Sequence, residues 1–311
     1  MTSNRIVVGV DGSTGARSAL HWAADECRLR GQMLLVVHAP DLAHAAADEP
    51  AMRSMDELGE RMLREHAAAA SGRQPGIVVT TLLGDTSAAD ALIELSAYSD
   101  LVVVGTHGRG GIVSSILGSL SYRVAAHAHC PVAMVPERQT PRRDPRAPRI
   151  VVGMSPARSG RLALEFAFEE AQRRGATLVA VQASDAPDNS ERLERDAEEL
   201  NRRKLHAAEL LRTDLAASAK RYRDVALEPL LVSAEPADAI LHAAQNAQLV
   251  VVGCHHSADH WSTRLGPVPS AIMHCSPCPV VVVGERQPAC RSSVPGGYSP
   301  ASKDRSSTAR T

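Results

Sequence analysis

The chain has 311 residues, more than the roughly 100–200 of one ordinary domain, so two domains are expected. Its apolar content is 44% with only two Phe, two Trp and four Tyr, which leaves the cores to Ala, Leu, Val and Ile, as in sheets covered by Ala-rich helices. A net charge of −1 with no basic domain argues against nucleic acid as the main partner, and no apolar run approaches the roughly 20 residues that cross a bilayer.

In chain order, MTSNRIVVGV enters a strand directly, with none of the regions of a secretory signal, and a cytoplasmic protein is expected. Strands are predicted at Arg5 to Val10, Met33 to Ala39, Ile77 to Leu82, Leu101 to Gly105 and Val132 to Val135, with helices between them. RIVVGV and LVVVG lack polar alternation because both faces of a parallel sheet are covered. Then the chain begins again. NRIVVGVDGSTGARSALHWAADECRLRG from Asn4 recurs as PRIVVGMSPARSGRLALEFAFEEAQRRG from Pro148. SDLVVVGTHG recurs as AQLVVVGCHH, and HCPVAMV as PCPVVVV, after one short insertion in the middle of the second copy.

ERQTPRRDPRAP separates the copies as a Pro- and Arg-rich linker, which gives domains at residues 1–137 and 148–285. The remainder, 286–311, is rich in Ser, Pro, Gly and charge and is predicted to be a disordered tail. Six cysteines in so large an unsecreted chain are expected as thiols.

Ligands of doubly wound sheets bind beyond the carboxyl ends of the strands. Two turns there carry candidate chemistry in the first copy: Gly9-Val10-Asp11-Gly12-Ser13, and Gly105-Thr106-His107-Gly108-Arg109-Gly110-Gly111. Glycines let backbone amides approach an anion without Cβ obstruction, with phosphate the expected anion and Arg109 the cation beside it. Gly118-Ser119 opens a helix from Ser119 to Ala128, whose free N–H groups offer a second phosphate cradle. Asp11 either contacts a ligand or caps the helix that begins near Ser13. The loop lacks the G-K-[ST] ending of a P-loop NTPase.

Gly105, two residues, Gly108, nine residues, then Gly118-Ser119, with VGVDGS at the first strand and HAHCPV before the fifth, resembles the ATP-binding branch of the universal stress protein family. The resemblance spans both copies. It implies two tandem doubly wound α/β domains of the adenine nucleotide alpha hydrolase-like kind, each a five-stranded parallel sheet in the order 3-2-1-4-5. It implies ATP across strands one and four: Asp11 on the ribose, the main chain near Val37 on the adenine, and Gly105, Gly108, Arg109, Gly118, Ser119 and Ser121 on the phosphates. Mg2+ or Mn2+ would bridge the phosphate oxygens. Gly9, Val10, Gly12, Thr106, His107, Gly110 and Gly111 complete the candidate site.

The second copy departs from that pattern in its loops. Ser155 and Pro156 replace Asp11 and Gly12, His256 and Asp259 replace Gly108 and Gly111, and Pro267 replaces Ser119. Weak or absent ATP binding is expected there, although Gly153, Gly253, Gly266 and Arg264 leave open a site of different geometry. Cys275-x-x-Cys278 with His255, His256 and His260 is a weaker candidate for zinc or a redox pair. The adenylating loop SGGxDS is not matched, so at most slow ATP hydrolysis is expected. The resemblance favours a nucleotide-dependent regulator with an unidentified protein partner. The apolar last strands, Ala133 to Val135 and Val280 to Val283, are expected to pair in a homodimer or within the chain.

Overall fold

The structure, a computed structural model, describes residues 4–39, 49–106, 108, 118–137, 147–184, 209, 213, 215–254 and 265–285. The first copy runs β1 (Arg5–Gly9), α1 (Thr14–Arg30), β2 (Met33–His38), α2 (Glu49–Arg73), β3 (Val79–Leu83), α3 (Ala88–Ser96), β4 (Leu101–Gly105), α4 (Ser119–His127) and β5 (Val132–Val135). The second runs β6 (Arg149–Gly153), α5 (Arg158–Arg174), β7 (Thr177–Ser184), helical residues 215–221 (α6), β8 (Leu227–Ser233), α7 (Pro236–Ala244), β9 (Leu249–Cys254), α8 (Pro267–Cys275) and β10 (Val280–Gly284). The expected strands are all present. The third starts two residues later than predicted, because Ile77 and Val78 precede its pairing with β2, which begins at Leu34 and Val79. The predicted tail lies outside the described residues.

Each copy is parallel and doubly wound, but the two copies share one ten-stranded sheet, in the order β3-β2-β1-β4-β5-β10-β9-β6-β7-β8. The halves meet antiparallel at β5 and β10, where Ala133 stands opposite Val281, its own counterpart in the repeat. A pseudo-twofold axis therefore passes between these strands. Of the two partners expected for the last strands, a second chain or the other copy, the structure pairs them within the chain. Inside each copy the register is the same: Ile6 faces Leu101 as Ile150 faces Leu249.

Two apolar layers cover the sheet, and each runs through both halves. One gathers residues of α1, α2, α5 and α6 over Ile6, Val8, Val135, Ile150 and Val283. The other gathers residues of α3, α4, α7 and α8 over Val7, Met134, Val151 and Val282. Central strands buried on both faces explain the unbroken Val and Ile runs.

Where α1 and α5 approach the axis, two carboxylates and two guanidiniums are buried together. Arg30 Nη2 lies 2.8 Å from Glu170 Oε1 and its Nε 3.2 Å from Glu26 Oε2. Arg174 reaches both Glu26 and Glu170. Arg173 Nη1 adds a contact of 2.5 Å to Glu170. Glu26 and Glu170 are repeat counterparts, as are Arg30 and Arg174, so the cluster is reciprocal about the axis. Burial pushes the Glu170 carboxyl up, but Arg30, Arg174 and Arg173 outweigh it and hold the group below the usual carboxylate range. Burial and the neighbouring Glu170 charge push Glu26 the other way.

A buried charge stripped of its partner is costly, whereas a neutral isostere avoids that cost. Urea unfolding near neutral pH should show Arg174→Met less stable by about 3–5 kcal/mol, since both carboxylates lose a partner. Glu26→Gln should cost less. The Glu170 contribution is complete above the pKa of an unfolded Glu and fades as pH falls through its lowered native value. Burial raises Glu26 above the range of an unfolded Glu, so the folded parent takes up that proton first and gains stability on acidification; its lead over Glu26→Gln, which has no titrating group there, should widen as pH is lowered through that range.

Candidate functional site

The turn leaving β1 is built by a short series of local hydrogen bonds. Val10 N–H donates to the Val37 carbonyl at 2.9 Å, which extends the β1–β2 ladder by one residue. Asp11 Oδ1 accepts from Ser13 N–H at 2.9 Å, and Ser13 Oγ accepts from Ala16 N–H at 3.1 Å. Ser13, not Asp11, is therefore the N-cap of α1. Asp11 instead closes the turn before the cap. Between them Gly12 has φ +83°, a conformation that L side chains rarely adopt.

The turn leaving β4 comes to the same place. A Cβ added at Gly108 would stand 2.8 Å from Asp11 Oδ2, so the carboxylate lies directly over the Cβ-free side of this glycine. Gly118 N–H donates to the Thr106 carbonyl at 3.0 Å, pinning the two ends of the Gly-rich segment together. Thr106 N–H is itself held by Val135 O at 3.1 Å. Helix α4 begins at this junction. Its N-cap, Gly118, supplies no side-chain hydrogen bond. The amides of Ser119, Leu120 and Ser121 precede the helical ladder and carry the positive end of the helix dipole. A carboxylate acceptor, a Cβ-free surface and a helix N-terminus thus lie beyond the ends of β1 and β4. That combination suits a polyol joined to an anion.

Several expected site residues have other duties here. Ser121 is buried and its Oγ donates to the Gly105 carbonyl at 2.7 Å, tying α4 to β4. A Cβ on Gly105 would meet the Gly15 carbonyl carbon at 2.7 Å, and one on Gly9 would meet Leu92 Cδ1 at 2.9 Å. Both glycines therefore admit close helix packing. The Val37 carbonyl is taken by Val10, and that of His38 by Gly84 N–H at 2.8 Å, so Ala39 is the first residue past the ladder. His107, Arg109, Gly110 and Gly111 lie outside the described residues.

The second copy separates packing from the rest. Gly253 would meet Ser159 backbone at 2.7 Å and Gly153 would meet Ile240 Cδ1 at 2.6 Å, which are the Gly105 and Gly9 contacts over again. The loop chemistry is not repeated. Proline at 156 cannot adopt the positive φ of Gly12, and the Ser155 carbonyl lies 2.2 Å from where a Cβ on Gly160 would be. Ala157 caps α5 without a side-chain bond, where the first copy has Ser13. Helix α8 carries proline in its first turn, at Pro267 and Pro269, and still forms.

The cysteine pair of the second copy is split by burial. Cys275 is exposed, whereas burial pushes the Cys278 thiol up to about 11. Cys254 and Cys27 are likewise pushed up, to about 11 and about 12. These three are poor thiolates. Among the described residues no three His, Cys, Asp or Glu gather as metal ligands, and His255, His256 and His260 lie outside them. The sequence reading passed over His38, a buried ring whose Nδ1 is 2.8 Å from the Val10 carbonyl.

Comparison with known proteins agrees with this architecture. The sequence matches the Universal stress protein family over residues 2–136 and 147–284. A universal stress protein of Mycobacterium tuberculosis is 34% identical over 304 residues, covering 90% of this chain and 95% of that one. A second from the same organism is 31% identical over 287 residues, covering 89% and 96%. A crystal structure of a universal stress protein from Archaeoglobus fulgidus superposes with a TM-score of 0.67 at 19% identity, covering 91% of this chain and 99% of that one. Among the described residues no helix is long and apolar enough to cross a membrane.

If the glycines divide as described, their alanine variants should divide in thermal unfolding. Gly105→Ala and Gly253→Ala drive a methyl into backbone and should each destabilise by about 1–3 kcal/mol. Gly108→Ala meets only the end of the Asp11 side chain and should leave the melting temperature nearly unchanged. Equal losses at all three would remove the distinction.

Proposed function

Since the chain belongs to the universal stress protein family, we propose that residues 1–137 form a domain that binds ATP as a regulatory ligand and that residues 148–285 form a domain that does not. The nucleotide lies across the ends of β1 and β4. Asp11 takes the ribose hydroxyls, main chain at Ala39 faces the adenine, and the Gly108 surface with the first turn of α4 takes the phosphates. Gly12 shapes the turn that presents Asp11. Thr106 and Gly118 close the phosphate segment, and His107, Arg109, Gly110 and Gly111 fall within it by sequence. Mg2+ or Mn2+ would bridge phosphate oxygens, supplying charge neutralisation without a dedicated protein cage.

The observation that carries this reading is the Asp11 carboxylate lying over the Cβ-free surface of Gly108. Both members of that pair change in the second copy, to Ser155 and His256, while the packing glycines stay. We read the protein as a cytoplasmic regulator whose occupancy sets the shape of the segment between Thr106 and Gly118, and hence its fit to a protein partner. Efficient hydrolysis is not part of the reading, because neither a Walker lysine nor an SGGxDS loop is present.

Equilibrium dialysis of the full chain with ATP and Mg2+ should give one nucleotide per chain. Asp11→Ala should weaken binding by about tenfold or more, the loss expected for a hydrogen bond to a charged group. Ser155→Ala should bind as the parent does, and phosphate release over hours should be negligible. Two nucleotides per chain, or binding indifferent to Asp11, would overturn the assignment.

A further inference from the structure

The chain enters Asp11 on a fixed course because the residue ahead of it, Val10, is held at both of its main-chain groups. Its N–H side is fixed by the ladder: Val10 N–H donates to Val37 O at 2.9 Å. Its C=O side is fixed by a side chain. The Val10 carbonyl can only accept, so the His38 ring donates its Nδ1–H across 2.8 Å. That carbonyl belongs to the Val10–Asp11 peptide, and its plane sets the course of the chain into Asp11. His38 is itself immobilised: only 9% of its surface is exposed, and its own carbonyl accepts from Gly84 N–H at 2.8 Å.

The seat of the ring has left its mark elsewhere in the sequence. Gly59 lies in the middle of the 25-residue helix α2, where glycine is the poorest helix former after proline. A Cβ there would stand 3.1 Å from His38 Cδ2 and 2.8 Å from Leu83 Cδ1. The helix gives up a side chain at the position that lies over the imidazole. In the second copy the counterpart of His38 is Gln182 and that of Asp11 is Ser155, so the two residues are replaced together while the strands that carry them keep their register.

We propose that His38 is a positioning residue of the nucleotide site: its ring N–H orients the Val10–Asp11 peptide and thereby aims the Asp11 carboxylate over Gly108. The proposal rests on the reading of the first copy as an ATP site, and it assigns His38 no contact with the nucleotide. What matters is the donor at Nδ1, not the volume of the ring. An Asn side chain can place its amide N–H near that donor while losing the ring's bulk. A Phe side chain keeps the bulk and has no donor.

The test is ATP affinity by calorimetry with Mg2+, paired with amide hydrogen exchange over Asp11 to Ser13 in the nucleotide-free chain. His38→Phe should raise the Kd by about tenfold, and His38→Asn should stay within about threefold of the parent. Exchange over Asp11 to Ser13 should speed up in the Phe variant and not in the Asn variant. If ring volume is what counts, the order reverses, with Phe close to parent and Asn impaired, and the proposal is overturned. It is equally overturned if neither variant moves either readout. Should His38→Phe fail to fold, His38→Leu serves as the donor-free variant. If the parent chain binds no ATP, the nucleotide reading falls, and the exchange rates alone decide whether His38 orders the Asp11 turn.

Discussion

Everything in this structure is organised about the antiparallel contact between β5 and β10. The strands themselves, VAMV and VVVV, carry little information about how they should align. A slip of two residues would keep the same faces toward the same layers, since side chains alternate with a period of two. The reciprocal pairing of Glu26, Arg30, Glu170 and Arg174 supplies the missing constraint. A two-residue slip displaces one half by roughly 6.6 Å, enough to part charges that are now within hydrogen-bond distance and to strand them away from water. The same ion cluster would be a poor source of net stability if apolar residues could replace it. Its value lies in admitting one alignment.

That alignment also decides where function can sit. Because β5 and β10 run in opposite directions, the carboxyl ends of β1 and β4 emerge at one end of the sheet and those of β6 and β9 at the other. The two strand-end regions share no wall. Changes at Ser155, Pro156 or Pro267 are therefore remote from Asp11 and Gly108, and distant substitutions act independently. A duplicated domain of this shape can lose the chemistry of one copy without disturbing that of the other. The packing glycines cannot drift in the same way, because Gly253 and Gly153 are held by backbone and core contacts inside their own copy.

The repeat and the strands of the first copy were legible in the sequence because apolar runs and turn residues are local signals, whereas the strand order came only with the family resemblance. The placing of Asp11 and Gly108 beyond neighbouring strand ends likewise came with the resemblance, since nothing in the spacing of the Gly-rich segment involves Asp11. What a single glycine is for was not. Gly9, Gly105 and Gly108 look alike on paper, and only the atoms facing each missing Cβ tell that the first two admit a helix and the third admits the Asp11 carboxylate. The bond of the Ser121 hydroxyl was hidden for a similar reason: its partner is sixteen residues away, at Gly105. His38 and the Glu26–Arg30 pair were overlooked, yet each left a trace in the comparison of copies. His38 changes with Asp11, whereas Glu26 and Arg30 recur unchanged as Glu170 and Arg174 on helices whose neighbouring positions differ.

The second copy supplies what the last strand of the first needs, a covering strand. Strand β5 is buried along its whole length and has no polar or proline residue to protect a free edge. Left alone it would be a template for pairing with another chain. Covering it requires a strand, a sheet to hold that strand, and the α5 carboxylate and guanidiniums that meet α1. It does not require a negative side chain at position 155 or a flexible glycine at 156. The edge and the ion cluster constrain the β6–β10 sheet and α5, and place no such constraint on the strand-end loops. In the second copy the Ser155 backbone fills the place that a Cβ on residue 160 would take, where the first copy has Ala16.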